Sequence, residues 1–100
     1  MIQYLTAFVF VKTDHRESEI DTASLLADIP EAQEVHRVAG EDCYLIKLRV
    51  ANTEALGRLV EGKIEAIRSV CSTRTTVVLR TLKDGVQLPL KSSMIQSANV

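Results

Sequence analysis

Apolar residues along this chain recur with two different periods, and the alternation between the periods outlines the fold. Residues 2–12 hold the run Ala7-Phe8-Val9-Phe10-Val11, which is too short and too rich in β-branched and aromatic types for a helix and predicts a strand. Leu5, Ala7, Val9 and Val11 fall on one side of that strand, with Tyr4, Phe8 and Phe10 on the other. Both sides are apolar, so both are expected to be covered. Asp14 with Glu17 three residues on reads as a capping box. A helix follows, with Ile20, Ala23, Leu26 and Ala27 at helical spacing and Glu19, Asp21, Thr22 and Asp28 mostly opposite. Pro30 closes it, because the residue before a proline is pushed out of the helical region.

Residues 34–39 predict a short strand carried by Val35 and Val38, and Gly40-Glu41-Asp42 a turn whose glycine supplies a positive φ. Residues 43–50 alternate, with Tyr44, Ile46, Leu48 and Val50 on one face and Lys47 and Arg49 on the other, the mark of a strand with one buried side. Asn52 or Thr53 caps a second helix whose stripe is Ala55, Leu56, Leu59, Val60, Ile64 and Ile67. Gly57 and Gly62 within it imply close packing or an imperfect helix. Residues 70–82 predict a long last strand ended by Asp84-Gly85, Leu88-Pro89-Leu90 a short extended segment, and residues 91–100 a loose tail.

Strand, helix, strand, strand, helix, strand is the ferredoxin-like arrangement, an α+β sandwich of one four-stranded antiparallel sheet with two helices on one face. Residues 1–90 are expected to form this single domain and residues 91–100 a flexible tail. The other sheet face has no helix to cover it, while the first strand offers apolar side chains in both directions. Dimerisation through the sheet is therefore expected.

Composition narrows the function more than it names it. The 100 residues carry 12 Lys and Arg against 13 Asp and Glu, without the basic surplus that phosphate neutralisation demands, so direct nucleic-acid binding is not expected. No apolar run approaches the length of a membrane span, and the first dozen residues lack the pattern of a secretory signal, so a cytoplasmic location is expected. Cys43 and Cys71 stand apart with no metal-ligand spacing and read as buried thiols, His15 and His36 as surface or edge-strand residues. Lys47, Arg49, Arg74 and Arg80 read as partners for Asp and Glu across strands or subunits. No cofactor or metal is implied.

The run from Val38 to Val50, Val-Ala-Gly-Glu-Asp-Cys-Tyr-Leu-Ile-Lys-Leu-Arg-Val, resembles the hairpin of the effector-binding (RAM) domain in the Lrp/AsnC family of feast/famine transcriptional regulators. Three further stretches agree: Ala7 to Lys12, the strand with Thr73-Arg74-Thr75, and the ending Gln87-Leu88-Pro89-Leu90. The resemblance implies a ferredoxin-like domain that dimerises through its sheets, assembles further into octamer-like rings, and binds an amino acid or related metabolite in clefts between dimers. It places Arg37, Ala39, Gly40, Glu41, Asp42 and Cys43 nearest the ligand, with Thr73 and Thr75 on the far side of the cleft. The chain departs from the family in two ways. It starts directly at the first strand, with no helix-turn-helix, as a stand-alone version or a truncated chain would. Cys43 also stands where many members have an aspartate.

The reading that follows is a non-enzymatic effector-binding and oligomerisation module, acting alone or in mixed assemblies with full-length Lrp/AsnC relatives. Two alternatives stand beside it. A small dimeric ferredoxin-like enzyme of the monooxygenase type would have to draw on His36, Cys43 and Tyr44, and a ligand-free structural oligomerisation module would need no site at all.

Overall fold

The computed structural model describes residues 3–14 and 19–85. The expectations for Ile2, His15, Glu17, the Ile20 side chain, residues 87–90 and the tail lie outside the described residues and side chains. The elements run β1 (Leu5–Thr13), α1 (Glu19–Ala27), β2 (Ala32–Arg37), β3 (Tyr44–Val50), α2 (Thr53–Leu59) and β4 (Val70–Val77), with a π-helical turn at Val60–Ile64 continuing α2. The four strands form one antiparallel sheet in the order β2-β3-β1-β4. This is the ferredoxin-like fold.

β1 and β3 are the two inner strands. β1 pairs with β3 through Val9 opposite Ile46 and with β4 through Val9 opposite Thr75. Period-2 alternation then fixes the faces. Ala7, Val9 and Val11 on β1 and Tyr44, Ile46, Leu48 and Val50 on β3 are buried on the helix side, with Leu26 from α1, Leu56 and Leu59 from α2, and Val60 and Ile64 from the π-turn.

α1 stops as the proline rule requires: its last turn gives way at Asp28 and Ile29, and Ile29 turns inward to join the core. Thr22 does not face solvent as expected. It is 2% exposed and shares a 2.7 Å hydrogen bond with the Ser69 hydroxyl, itself 1% exposed, which ties α1 to the segment entering β4. A threonine paired in this way is compatible with a buried helix face, which apolar periodicity alone does not register.

Asn52 is the N-cap of α2, its side chain accepting a 2.8 Å hydrogen bond from the Ala55 amide. Of the two explanations offered for the helix glycines, imperfection holds and close packing does not. A Cβ at Gly57 or Gly62 would meet nothing within 4 Å. Gly62 lies within the π-turn, where the Glu65 amide reaches back five residues to the Val60 carbonyl at 2.8 Å. β4 is shorter than the Val- and Thr-rich run suggests. It ends at Val77, the Val78 amide makes one more bond to the Thr6 carbonyl, and Leu79 and Leu82 are exposed.

The opposite sheet face, uncovered by either helix, carries Phe8, Phe10 and Leu45 among Lys12, Lys47, Arg49 and Arg74. It is less purely apolar than β1 alone suggests. Cations lie across its rings, with the Arg74 guanidinium 4.3 Å from the Phe10 ring centre and that of Arg49 5.7 Å from Tyr4.

Candidate functional site

The β2–β3 hairpin is held by main-chain bonds at both sides of its turn. The Val38 amide donates to the Cys43 carbonyl at 3.0 Å, and the Cys43 amide donates to the Val11 carbonyl of β1 at 2.9 Å. Within this bracket Gly40 has φ +127°, as the turn reading requires, a backbone conformation that side-chain-bearing residues rarely adopt. A Cβ there would meet nothing within 4 Å, so the glycine serves the backbone angle and not a close approach.

The side chains of the turn have distinct surroundings. Ala39 and Glu41 are exposed. Asp42 accepts a 3.1 Å hydrogen bond from Arg74 Nη2, which crosses from β4 on the uncovered face. Cys43 is half-buried and its Sγ accepts a 3.2 Å hydrogen bond from the Thr13 hydroxyl. Arg37 lies opposite Tyr44 at the end of β2, beside the turn. Thr73 and Thr75, opposite Val11 and Val9, project to the helix side, where the Thr73 hydroxyl donates to Glu65 Oε2 at 2.7 Å.

One chain therefore brings six of the eight expected residues together at the end of one hairpin, while Thr73 and Thr75 lie on β4, with β1 between that strand and the hairpin. Arg74 and Glu65 were not among the expected site residues. The sequence held one signal for Arg74, its place between two threonines, which alternation puts on the side away from theirs. Glu65 depends on the π-turn, which rotates the following residues relative to a regular helix and is invisible to a 3.6-residue periodicity.

The helix side carries hollows, three of which are lined by described residues of α1, α2 and the segments beside them. The largest of the three, about 270 Å³, is lined by Leu25, Asp28, Ile29, Pro30, Lys63 and Ile67. A second of about 190 Å³ is lined by Asp21, Thr22, Leu25, Ile67 and Arg68, and a third of about 240 Å³ by Glu31, Ala55, Arg58, Leu59 and Lys63. None of the three is lined by the turn.

The two thiols are not buried as expected. Both are free, Cys71 is exposed on edge strand β4, and Cys43 is only half-covered because it precedes β3 instead of standing within it. His36 is on edge strand β2, with Nε2 2.9 Å from Glu34 Oε1. That hydrogen bond, aided by the Lys47 charge and partly opposed by desolvation, holds the Glu34 carboxyl below its ordinary pKa. The inter-strand pairing expected of Lys47 is present, its Nζ 3.8 Å from Glu34. His36 pairs in register with Leu45 and Arg37 with Tyr44, so His36 and Tyr44 occupy opposite faces of the sheet. They do not converge with Cys43 on an acid–base site. Among the described residues no group of three or more His, Cys, Asp or Glu is arranged to hold a metal, and no helix is long and apolar enough to cross a membrane.

Comparison with known proteins agrees with this fold. The family described as the Lrp/AsnC ligand binding domain matches residues 6–88. An uncharacterised helix-turn-helix-type transcriptional regulator of Pyrococcus horikoshii is 39% identical over 83 residues, covering 81% of this chain and 55% of that protein. The chain thus spans about half the length of the curated relatives it matches. Among solved structures, a feast or famine regulatory protein of M. tuberculosis complexed with L-methionine superposes with a TM-score of 0.72 at 31% identity, over 84% of this chain and 56% of that one. A transcriptional regulator of Neisseria meningitidis in complex with L-Met shares the fold, with a TM-score of 0.79 at 24% identity over 86% of this chain and 56% of that one.

Proposed function

The chain belongs to the Lrp/AsnC ligand-binding domain family, and from that premise we propose that it binds an amino-acid-type effector at the Gly40 turn, where copies of the chain meet. The observation that carries this reading is the turn itself, held open at φ +127° by main-chain bonds on both sides. Amide groups freed at such a turn suit a carboxylate, and the exposed Glu41 suits an ammonium group. The L-methionine in the M. tuberculosis relative supports the same class of ligand.

Within one chain β1 lies between the hairpin and β4, and a second copy completes the site by bringing its own Thr73 and Thr75 alongside the turn. Copies first pair over the uncovered sheet face, where Phe8, Phe10 and Leu45 lose water, and dimers then join into larger rings. The balanced charge, with 12 Lys and Arg against 13 Asp and Glu, supports a role for this chain without direct nucleic-acid contact. It acts without catalysis, in the cytoplasm, alone or in mixed assemblies with longer Lrp/AsnC relatives. A ligand in a shared cleft stabilises whichever assembly forms that cleft.

A thermal-shift screen of the amino acids tests the reading. Ligand at a hundred times its dissociation constant adds about 2.7 kcal/mol, so an effector raises Tm clearly. The absence of a shift with every amino acid, in protein shown to be assembled, would point to a ligand-free structural module.

A further inference from the structure

Arg74 stands at the meeting point of two regions that the proposed function treats separately, the effector turn and the sheet face over which copies pair. Its guanidinium lies 4.3 Å from the centre of the Phe10 ring, in the middle of the uncovered face. The same group donates to Asp42 Oδ2 at 3.1 Å, two residues after Gly40. In the single chain this arginine side chain is 63% exposed and that of Asp42 24% exposed, so solvent still screens the pair.

We infer that Arg74 is the positioning residue of the Gly40 turn, and that covering the sheet face with a second copy tightens its hold on Asp42. This rests on the reading that copies associate through that face. The physical sequence is short. A second copy displaces water from the guanidinium, and the attraction between two charges grows as the local dielectric falls. A planar, weakly hydrated guanidinium already resting on a ring and already paired is suited to such covering. Asp42 is thereby pinned, and with it the turn that presents Glu41. Linkage makes the effect mutual: whatever orders the turn favours association. The pairing also divides the labour of the two carboxylates. Asp42 is engaged by Arg74, and Glu41 faces the effector.

Cys43 supplies a readout that needs no ligand. Its half-buried thiol lies at the end of the turn, and the other thiol, Cys71, is removed by Cys71→Ser on the exposed edge of β4. The rate of Cys43 modification by an aromatic disulfide reagent is measured from protein concentrations below association to concentrations above it, with sedimentation run in parallel. The rate is expected to fall about two- to fivefold on association, the size of effect an ion pair of this class supplies. Asp42→Asn and Arg74→Gln are expected to abolish most of that fall while sedimentation still reports association. Arg74→Lys keeps the charge but not the flat contact with Phe10 and is expected to retain part of it.

An equal fall in Asp42→Asn and in the parent would mean that the second copy merely occludes the thiol, and would overturn the inference. So would association without any fall in the parent. If Arg74→Gln fails to associate, Asp42→Asn decides, since it leaves Arg74 and Phe10 on the face. A chain that stays monomeric throughout sinks the association reading and the coupling with it. Failure of every amino acid to bind counts against the effector role alone.

Discussion

Substituting Gly40 by alanine isolates the one backbone feature on which the effector turn depends. At φ +127° an alanine is strained whatever the space around it, and here a Cβ would meet nothing within 4 Å. Collision therefore adds nothing, and the whole cost is conformational, about 1–3 kcal/mol for a side-chain-bearing residue held in a sparsely populated backbone region. In a domain of this size each kcal/mol moves Tm by about 4–8 °C, so a loss near 2 kcal/mol lowers it by about 8–16 °C. Urea unfolding is the assay: the midpoint should fall with the slope unchanged, because the surface exposed on unfolding is the same. Gly62→Ala is the internal control. It too has open space around the added Cβ, but it sits in a helical turn without a positive φ, so it should stabilise by about 0.5–1 kcal/mol. Opposite signs for the two substitutions are expected. A Gly40→Ala protein as stable as the parent, or two substitutions that shift stability the same way, would refute the claim that the turn is built on that angle.

Other consequences are open to simple measurement. Thr22→Val leaves the Ser69 hydroxyl buried without its 2.7 Å partner and should cost about 1–3 kcal/mol in urea unfolding, with Thr22→Val and Ser69→Ala together costing less than the sum of the two singly. Ile46→Ala removes a fully buried side chain at the centre of the sheet and should cost about 2–5 kcal/mol. Nuclear magnetic resonance titration should find the Glu34 carboxyl below its ordinary pKa and returning towards it in His36→Ala. Since that folded-state value is depressed, its contribution to stability is present above the unfolded-state pKa and is lost as pH falls through the folded-state one. Phe10→Glu puts a carboxylate in the middle of the uncovered face and should shift sedimentation towards the monomer while leaving the helix-side core intact.

Much of the fold was legible because period and punctuation agreed. β1 announced itself as a strand by its β-branched and aromatic run, and β3 announced its buried face by alternation. Thr22 escaped because a hydroxyl that finds a partner can be buried, and the partner, Ser69, lies 47 residues away in sequence. The early end of β4 escaped because Val78, Leu79 and Thr81 continue its apolar and β-branched pattern although the pairing with β1 stops at Val77. At the site, the glycine turn could be read locally, since positive φ is a property of one residue. Arg74 and its contact with Asp42 could not, because which strand lies next to which, and in what register, is decided by the whole sheet. The exposure of the two thiols follows from the same limit. Cys43 precedes its strand by one residue, and Cys71 lies on an edge that only the strand order reveals.

The account stands on an effector lodging at the Gly40 turn where copies of the chain meet. Its most direct test is the crystal structure of the protein grown with L-methionine. The predicted result is an amino acid whose carboxylate meets the amides beside Gly40 and whose ammonium meets Glu41, with Thr73 or Thr75 of another copy closing the cleft. An amino acid bound instead in the helix-side hollow around Leu25 and Ile67, or copies packed through their helices with Phe8 and Phe10 facing water, would contradict it.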